Sequence, residues 1–213
     1  MTEMVLIRHG ETAENLAGIL QGHYDSELNE AGLIQAQAVA RRLAGETFDA
    51  FYASDLKRAA GTAEVISRQI GMDFTPLKNL REWHLGELEG KEVKLLQQKY
   101  PEVMDSFKHE PAGDVPVPGG ESYYDFYMRI AGSMIGLANK HENQRILLVT
   151  HGGVLRMVFR MVFDSLPRTV AQPLLSNTGY TKIRKNDAGE WQLCTWNDTG
   201  HLNEDQHREQ KAF

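Results

Sequence analysis

Apolar positions along the chain change their period several times, and each change marks an element. Met4-Val5-Leu6-Ile7-Arg8 is a continuous apolar run that halts at His9-Gly10, the pattern of a strand buried on both faces. Ile146-Leu147-Leu148-Val149-Thr150 repeats it and halts at His151-Gly152-Gly153. Between residues 29 and 44, Leu33, Ala36, Ala40 and Leu43 recur at steps of three and four. That spacing predicts a helix capped by Asn29 and stopped at Gly45. Residues 49–53 read as a second short strand. Ser54 or Asp55 then caps a helix to Ile70, with Leu56, Ala59, Ala63 and Ile66 on its inner face and Gly71 as its stop. Alternating strands and helices predict βαβ units and a mostly parallel sheet.

The middle of the chain is less regular. Residues 74–80 hold a short strand, and 91–108 read as a helix broken at Pro101. The stretch 110–120 is rich in Pro and Gly and reads as loop. Residues 83–120 together are taken as an insertion over the sheet rather than a second domain. Ser122 with Asp125 opens a helix to Lys140 that buries Tyr123, Tyr127, Ile130, Met134 and Leu137. Residues 154–163 are apolar nearly all round and read as a buried helix. Two β-like segments, 179–185 and 191–196, flank the turn Asn186-Asp187-Ala188-Gly189. They are compatible with a homodimer but do not require one. The polar stretch 202–213 reads as a frayed tail. The expected fold is α/β: a three-layer αβα domain over 1–201, with a mostly parallel central sheet and a helical and loop insertion over the active site.

Charge narrows the partners. The 213 residues carry 23 Lys+Arg against 29 Asp+Glu, a net charge of −6, which makes no broad case for nucleic acid or an anionic membrane. No apolar run nears the roughly 20 residues of a membrane span. The start Met1-Thr2-Glu3 is acidic and the apolar run after it too short for a secretory signal. Cys194, the single cysteine, cannot form an internal disulfide; it reads as packing and makes the cytoplasm the expected location. An anionic ligand would need positive charge gathered locally.

The two strand ends suggest where. In open α/β sheets ligands bind outside the carboxyl ends of the strands, so His9 and His151 are placed to face one pocket. Either histidine alone is as consistent with a satisfied, partly buried imidazole; the repeated placement points to a site. Arg8 closes an apolar strand, where a guanidinium needs an anion, either a ligand or a buried carboxylate. Arg58 follows the next strand; its bland alternative is an ion pair with Asp55. Two Arg and two His in one crevice describe a phosphate pocket without a metal.

Arg8-His9-Gly10-Glu11-Thr12, with Asn15 close behind, resembles the signature of the histidine phosphatase superfamily, the phosphoglycerate mutase-like proteins. The likeness continues through Ser54-Asp55-Leu56-Lys57-Arg58-Ala59, Leu80-Arg81-Glu82, Gly86-Glu87-Leu88-Glu89-Gly90, Pro118-Gly119-Gly120-Glu121-Ser122 and Thr150-His151-Gly152-Gly153, in order across residues 4–185. The resemblance implies that His9 is the nucleophile that accepts the phosphoryl group. It implies that Arg8, Arg58 and His151 hold the phosphate, with Gly152 beside them, and that Glu82 is the proton donor. Asn15, Gln21 and Gly22 match positions that line the pocket. Where relatives often have Pro-Leu-Thr, this chain has Glu27-Leu28-Asn29.

A neutral imidazole is a competent nucleophile near pH 7, and its other ring nitrogen then needs an acceptor, commonly a backbone carbonyl. Glu82 must keep its proton near neutrality to serve a leaving alkoxide, which calls for burial or neighbouring anions. Glu87, Glu89 and Glu121 are the rival acids. His23, His84 and His109 lack compact ligand spacing, so no metal and no cofactor is expected. Met128, Met134, Met157 and Met161 read as core, and Arg156 and Arg160 as structural or interface residues. The segment after Glu82 mixes Lys91, Lys94, Lys99 and Lys108 with six acidic residues and is not the basic clamp of the mutases this chain resembles. The expected activity is metal-independent hydrolysis of a small phosphomonoester through phosphohistidine. A cofactor-dependent phosphoglycerate mutase is the alternative, and an inactive phosphate-binding scaffold a third.

Overall fold

A computed structural model describes residues 1–106, 116–163, 173–203 and 206. In chain order the main elements are β1 (Thr2–Arg8), α1 (Ala13–Ala17), β2 (Ile19–Leu20), α2 (Glu30–Leu43), β3 (Ala50–Ala53), α3 (Lys57–Ile70), β4 (Thr75–Pro76), β5 (Lys91–Glu92), α4 (Val93–Lys99), α5 (Pro101–Ser106), α6 (Tyr123–Lys140), β6 (Arg145–Thr150), α7 (Gly152–Phe163), β7 (Tyr180–Lys185) and β8 (Trp191–Asp198). The sheet order is β4-β3-β6-β1-β7-β8. Its first four strands are parallel, and β7 and β8 continue it antiparallel, with β8 at the edge.

Period-two alternation splits the sheet's side chains between two cores. Met4, Leu6, Ile146 and Leu148 face α6 and α7, where Phe126, Ile130, Met134, Val154 and Val158 meet them. Val5, Ile7, Leu147 and Val149 face α2 and α3, against Val39, Leu43, Ala59, Ala63 and Ile66. Central strands therefore read as unbroken apolar runs, and each fully buried Leu or Ile contributes about 1.5–3 kcal/mol. A third cluster, Leu85, Leu88, Val93, Leu96, Met104 and Val117, holds the segment after Glu82 together. This segment docks on residues 18–23: β5 pairs with β2, and Gly90 N–H and Val93 N–H donate to the carbonyls of Leu20 and Gly18.

Several local expectations change. Leu33 is 45% exposed; the inner face of α2 uses Gln35 and Val39 instead. Helix α2 runs to Leu43 with Ala44 as its cap in right-handed backbone, so it stops before Gly45 without a left-handed glycine cap. Ser54 and Asp55 do not cap α3, whose cap position is Leu56 without a side-chain bond; both side chains have other partners, described below. Residues 74–80 form only the two-residue β4 and a 3-10 turn at Lys78–Leu80. In α6 the fully buried aromatic is Phe126, while Tyr123 and Tyr127 pack at its margin and Met128 is 50% exposed. Helix α7 buries one face only, leaving Phe163 exposed. Cys194 is exposed rather than packed. The reading of residues 107–115 and most of 202–213 lies outside the described residues. Among the described residues no helix is long and apolar enough to cross a membrane.

Candidate active site

Three neighbouring parallel strands deliver the site. Arg8 lies beside Thr150 in the β1–β6 pair, and Ala53 beside Val149 in β3–β6. His9 N–H donates to Thr150 O and Ser54 N–H to Val149 O, both at 2.9 Å, so pairing runs one residue past the strands. Arg8, His9, Ser54 and His151 therefore emerge at one edge. The His9 and His151 rings stand 5.2 Å apart between centroids.

Each ring nitrogen has a defined task. His9 Nδ1 lies 2.7 Å from the Gly10 carbonyl, which can only accept, so Nδ1 carries the hydrogen and Nε2 keeps its lone pair. His151 Nε2 lies 2.8 Å from Ser54 Oγ, and Leu56 N–H donates to the same hydroxyl at 3.4 Å. The Ser54 hydroxyl can donate to Nε2, and the His151 hydrogen then sits on Nδ1, a buried atom with no hydrogen-bond partner among the described residues. A neutral His151 can thus donate from Nδ1. Burial, then the Arg58 charge, push both imidazoles well below the ordinary histidine range; Arg8 adds to both and His9 to His151.

Backbone carbonyls hold both arginines. Arg58 is almost wholly buried and donates to Gly22 O at 2.7 Å and Tyr24 O at 2.9 Å; burial lowers its pKa to about 10. Arg8 donates to Leu175 O at 2.8 Å and is lowered to about 10 by burial, then by Arg156. The alternative of an Arg58–Asp55 ion pair does not hold: Asp55 forms a two-bond pair with Arg81 at 2.7 and 2.6 Å. Glu82 takes Trp83 N–H on one oxygen and Gly153 N–H on the other, each at 2.9 Å. A Cβ at Gly153 would strike Glu82 Oε1, so that glycine is required for the approach.

The lesser candidates divide. Gly152 packs on the Arg8 guanidinium, its missing Cβ 3.5 Å from Cζ. Gly22 has φ +53° and gives its carbonyl to Arg58. Gln21 is buried and accepts from Ser26 Oγ at 2.5 Å. Asn15 completes a capping box with Thr12 on α1. Asn29, at the departure from Pro-Leu-Thr, accepts from Gly32 N–H at 2.8 Å and donates its amide N–H to Glu11 at 2.9 Å. Among the rival acids, Glu121 is tied to Arg129 at 2.7 and 2.8 Å, and Glu89 accepts from His23 N–H and Leu85 N–H. His23 and His84 stack on each other, 4.6 Å between centroids, and His109 lies outside the described residues.

Sequence reasoning missed the floor of the site. Asn177 Nδ2 donates to His9 O at 2.9 Å, and Thr178, at φ +55°, donates its N–H to Arg8 O at 3.1 Å. Ser176-Asn177-Thr178 reads only as the turn before a strand, and the residues it braces lie about 170 positions away. Ser54 was visible but looked like a cap.

The histidine phosphatase superfamily (branch 1) model matches residues 4–199. The chain belongs to that superfamily. It is 39% identical to phosphoglycerate mutase-like protein 4 of Arabidopsis thaliana, over 95% of this chain and 87% of the relative. It is 38% identical to the metal-independent phosphoserine phosphatase of the same plant, over 95% and 84%. Among solved structures, a mutant phosphoserine phosphatase of Entamoeba histolytica in complex with phosphoserine superposes with TM-score 0.84 at 30% identity, covering 95% of this chain and 100% of that one. The phosphoserine phosphatase of that organism in complex with 3-phosphoglyceric acid gives 0.83 at 30% identity, with the same coverage.

Neutral buried histidines have a measurable consequence for this phosphatase-family member. Below about pH 6.5 the unfolded chain protonates these imidazoles while the folded one resists, so folding stability falls with acid by up to about 1.4 kcal/mol per pH unit per histidine. Asp55, Asp198 (about 2) and Glu121, held low chiefly by their arginine partners, lose their contribution only below about pH 4. Urea unfolding at pH 7.5 and 5.5 is expected to show the loss, and His9→Ala to show a shallower one. Equal losses in both proteins would mean that His9 is charged in the folded state.

Proposed function

We propose that this protein hydrolyses a small phosphomonoester through phosphohistidine, without a metal, and that O-phosphoserine is the first substrate to test. One observation carries the chemistry: His9 has Nδ1–H locked on Gly10 O and a free Nε2, among His151 and two buried arginines. In the first step Nε2 attacks phosphorus, the P–O ester bond breaks, and a protonated Glu82 gives its proton to the leaving oxygen. The N–P bond leaves the imidazolium hydrogen on Nδ1, still donated to Gly10 O. Arg8, Arg58 and His151 Nδ1–H meet the charge on the phosphoryl oxygens. In the second step water attacks phosphorus, Glu82 takes its proton, the N–P bond breaks and inorganic phosphate leaves.

Both named phosphoserine phosphatases support hydrolysis over isomerisation, as does the mixed charge of the segment after Glu82. The exposed lone Cys194 fits a cytoplasmic setting. Phosphate release from O-phosphoserine, unchanged by EDTA, is expected at a rate far above isomerisation of 3-phosphoglycerate. Isomerisation outpacing phosphate release would replace this reading with the mutase.

A further inference from the structure

Arg156 is a cation that the fold does not use. It sits on α7, three residues past Gly153 and four past Gly152, on the helix face that meets Glu82 and Arg8. Its Nε is buried without a hydrogen-bond partner, and among the described residues no ion pair or hydrogen bond holds the rest of the group. Other arginines around the site are engaged: Arg58 on two carbonyls, Arg81 on Asp55, Arg129 on Glu121. Arg156 instead stands close enough to Arg8 to be, after burial, the largest influence lowering it. The two guanidiniums repel each other while both draw on the single charge of Glu82, and an arriving anion relieves that repulsion.

We propose that Arg156 is a specificity-determining residue that takes a carboxylate on the leaving-group portion of the substrate. The inference rests on the hydrolase reading above, in which Glu82 protonates the leaving oxygen. Because Arg156 shares the helix face that meets Glu82, it lies on the side where the leaving group departs. The transferring phosphoryl group already has two arginines and two histidines. A single planar guanidinium beside an acid matches a monoanionic carboxylate in two-bond geometry, and leaves a second phosphate dianion under-neutralised. The substrate class is a phosphorylated hydroxy acid or amino acid with its carboxylate near the ester oxygen.

The matched pair O-phosphoserine and O-phosphoethanolamine tests this, since they differ only in the carboxylate. The wild-type protein is expected to prefer phosphoserine at least about tenfold in kcat/KM. Arg156→Gln is expected to erase that preference through KM and leave phosphoethanolamine within about threefold, with Arg156→Lys between. Calorimetric binding of both compounds to His9→Ala reads the same preference without turnover. The proposal therefore survives or fails even if the hydrolase reading does not hold. Absence of a preference in the wild type, or equal losses on both substrates in Arg156→Gln, overturns it. A melting curve for each variant separates those losses from unfolding.

Discussion

Replacing His9 with alanine is expected to lower phosphate release by at least about 10⁴-fold while the melting temperature stays close to that of the parent. The lone pair proposed to attack phosphorus is lost, and the neighbouring ring is already engaged, His151 Nε2 lying 2.8 Å from Ser54 Oγ. The cost to the fold is small, because the ring makes one polar bond, to the adjacent Gly10 carbonyl. The backbone at His9 is held independently, by Thr150 O and by Asn177. Acid-labile, base-stable phosphate trapped on the parent and missing from the variant would identify the atom. Turnover within tenfold of the parent would sink the assignment of His9.

Glu82→Gln carries the second-largest effect, and its size depends on the leaving group. For O-phosphoserine, whose alkoxide needs a proton, a fall of about 10²–10⁴-fold in kcat is expected. For 4-nitrophenyl phosphate, whose phenolate leaves unaided, the first step is expected to be nearly unaffected, leaving only slower hydrolysis of phosphohistidine. Glutamine keeps the volume that Gly153 accommodates, but its amide nitrogen must face either Trp83 N–H or Gly153 N–H, losing one of two bonds. A modest loss of stability should accompany the kinetic effect. Burst kinetics on the aryl ester, with phenol released ahead of phosphate, would display the surviving first step. Equal losses on both substrates, without a burst, would move the proton donor elsewhere. Glu121 and Glu89 are poor replacements, since each is already committed to fixed donors.

Much of this site was legible before any coordinates. Parallel strands buried on both faces must be apolar throughout, so a polar residue at their ends stands out, and Arg8-His9 and Thr150-His151 stood out twice. The helix starts at Asn29 and Ser122 were legible because a cap is a local bond, to Gly32 N–H and Asp125 N–H. Leu33, Met128 and Phe163 misled because periodicity gives spacing but not which face a neighbour will cover. Ser54 misled differently. A serine before a helix satisfies the cap rule, yet its hydroxyl finds a stronger partner in an imidazole 97 residues away.

By itself the sequence determined the α/β class, the order of the elements, and two histidines and two arginines at strand ends. Those follow from local period and from the cost of burying charge, which each segment carries with it. Only the tertiary structure decided the geometry of the site. The strand register set the 5.2 Å between the two rings, the Gly10 carbonyl chose which nitrogen of His9 holds the hydrogen, and the Ser54 hydroxyl engages Nε2 of His151. Pairing sent Asp55 to Arg81 and left the buried Arg156 Nε without a hydrogen-bond partner among the described residues. The physical reason is distance: an ion pair or a tautomer depends on separations of a few ångströms across the fold, and no local pattern encodes them.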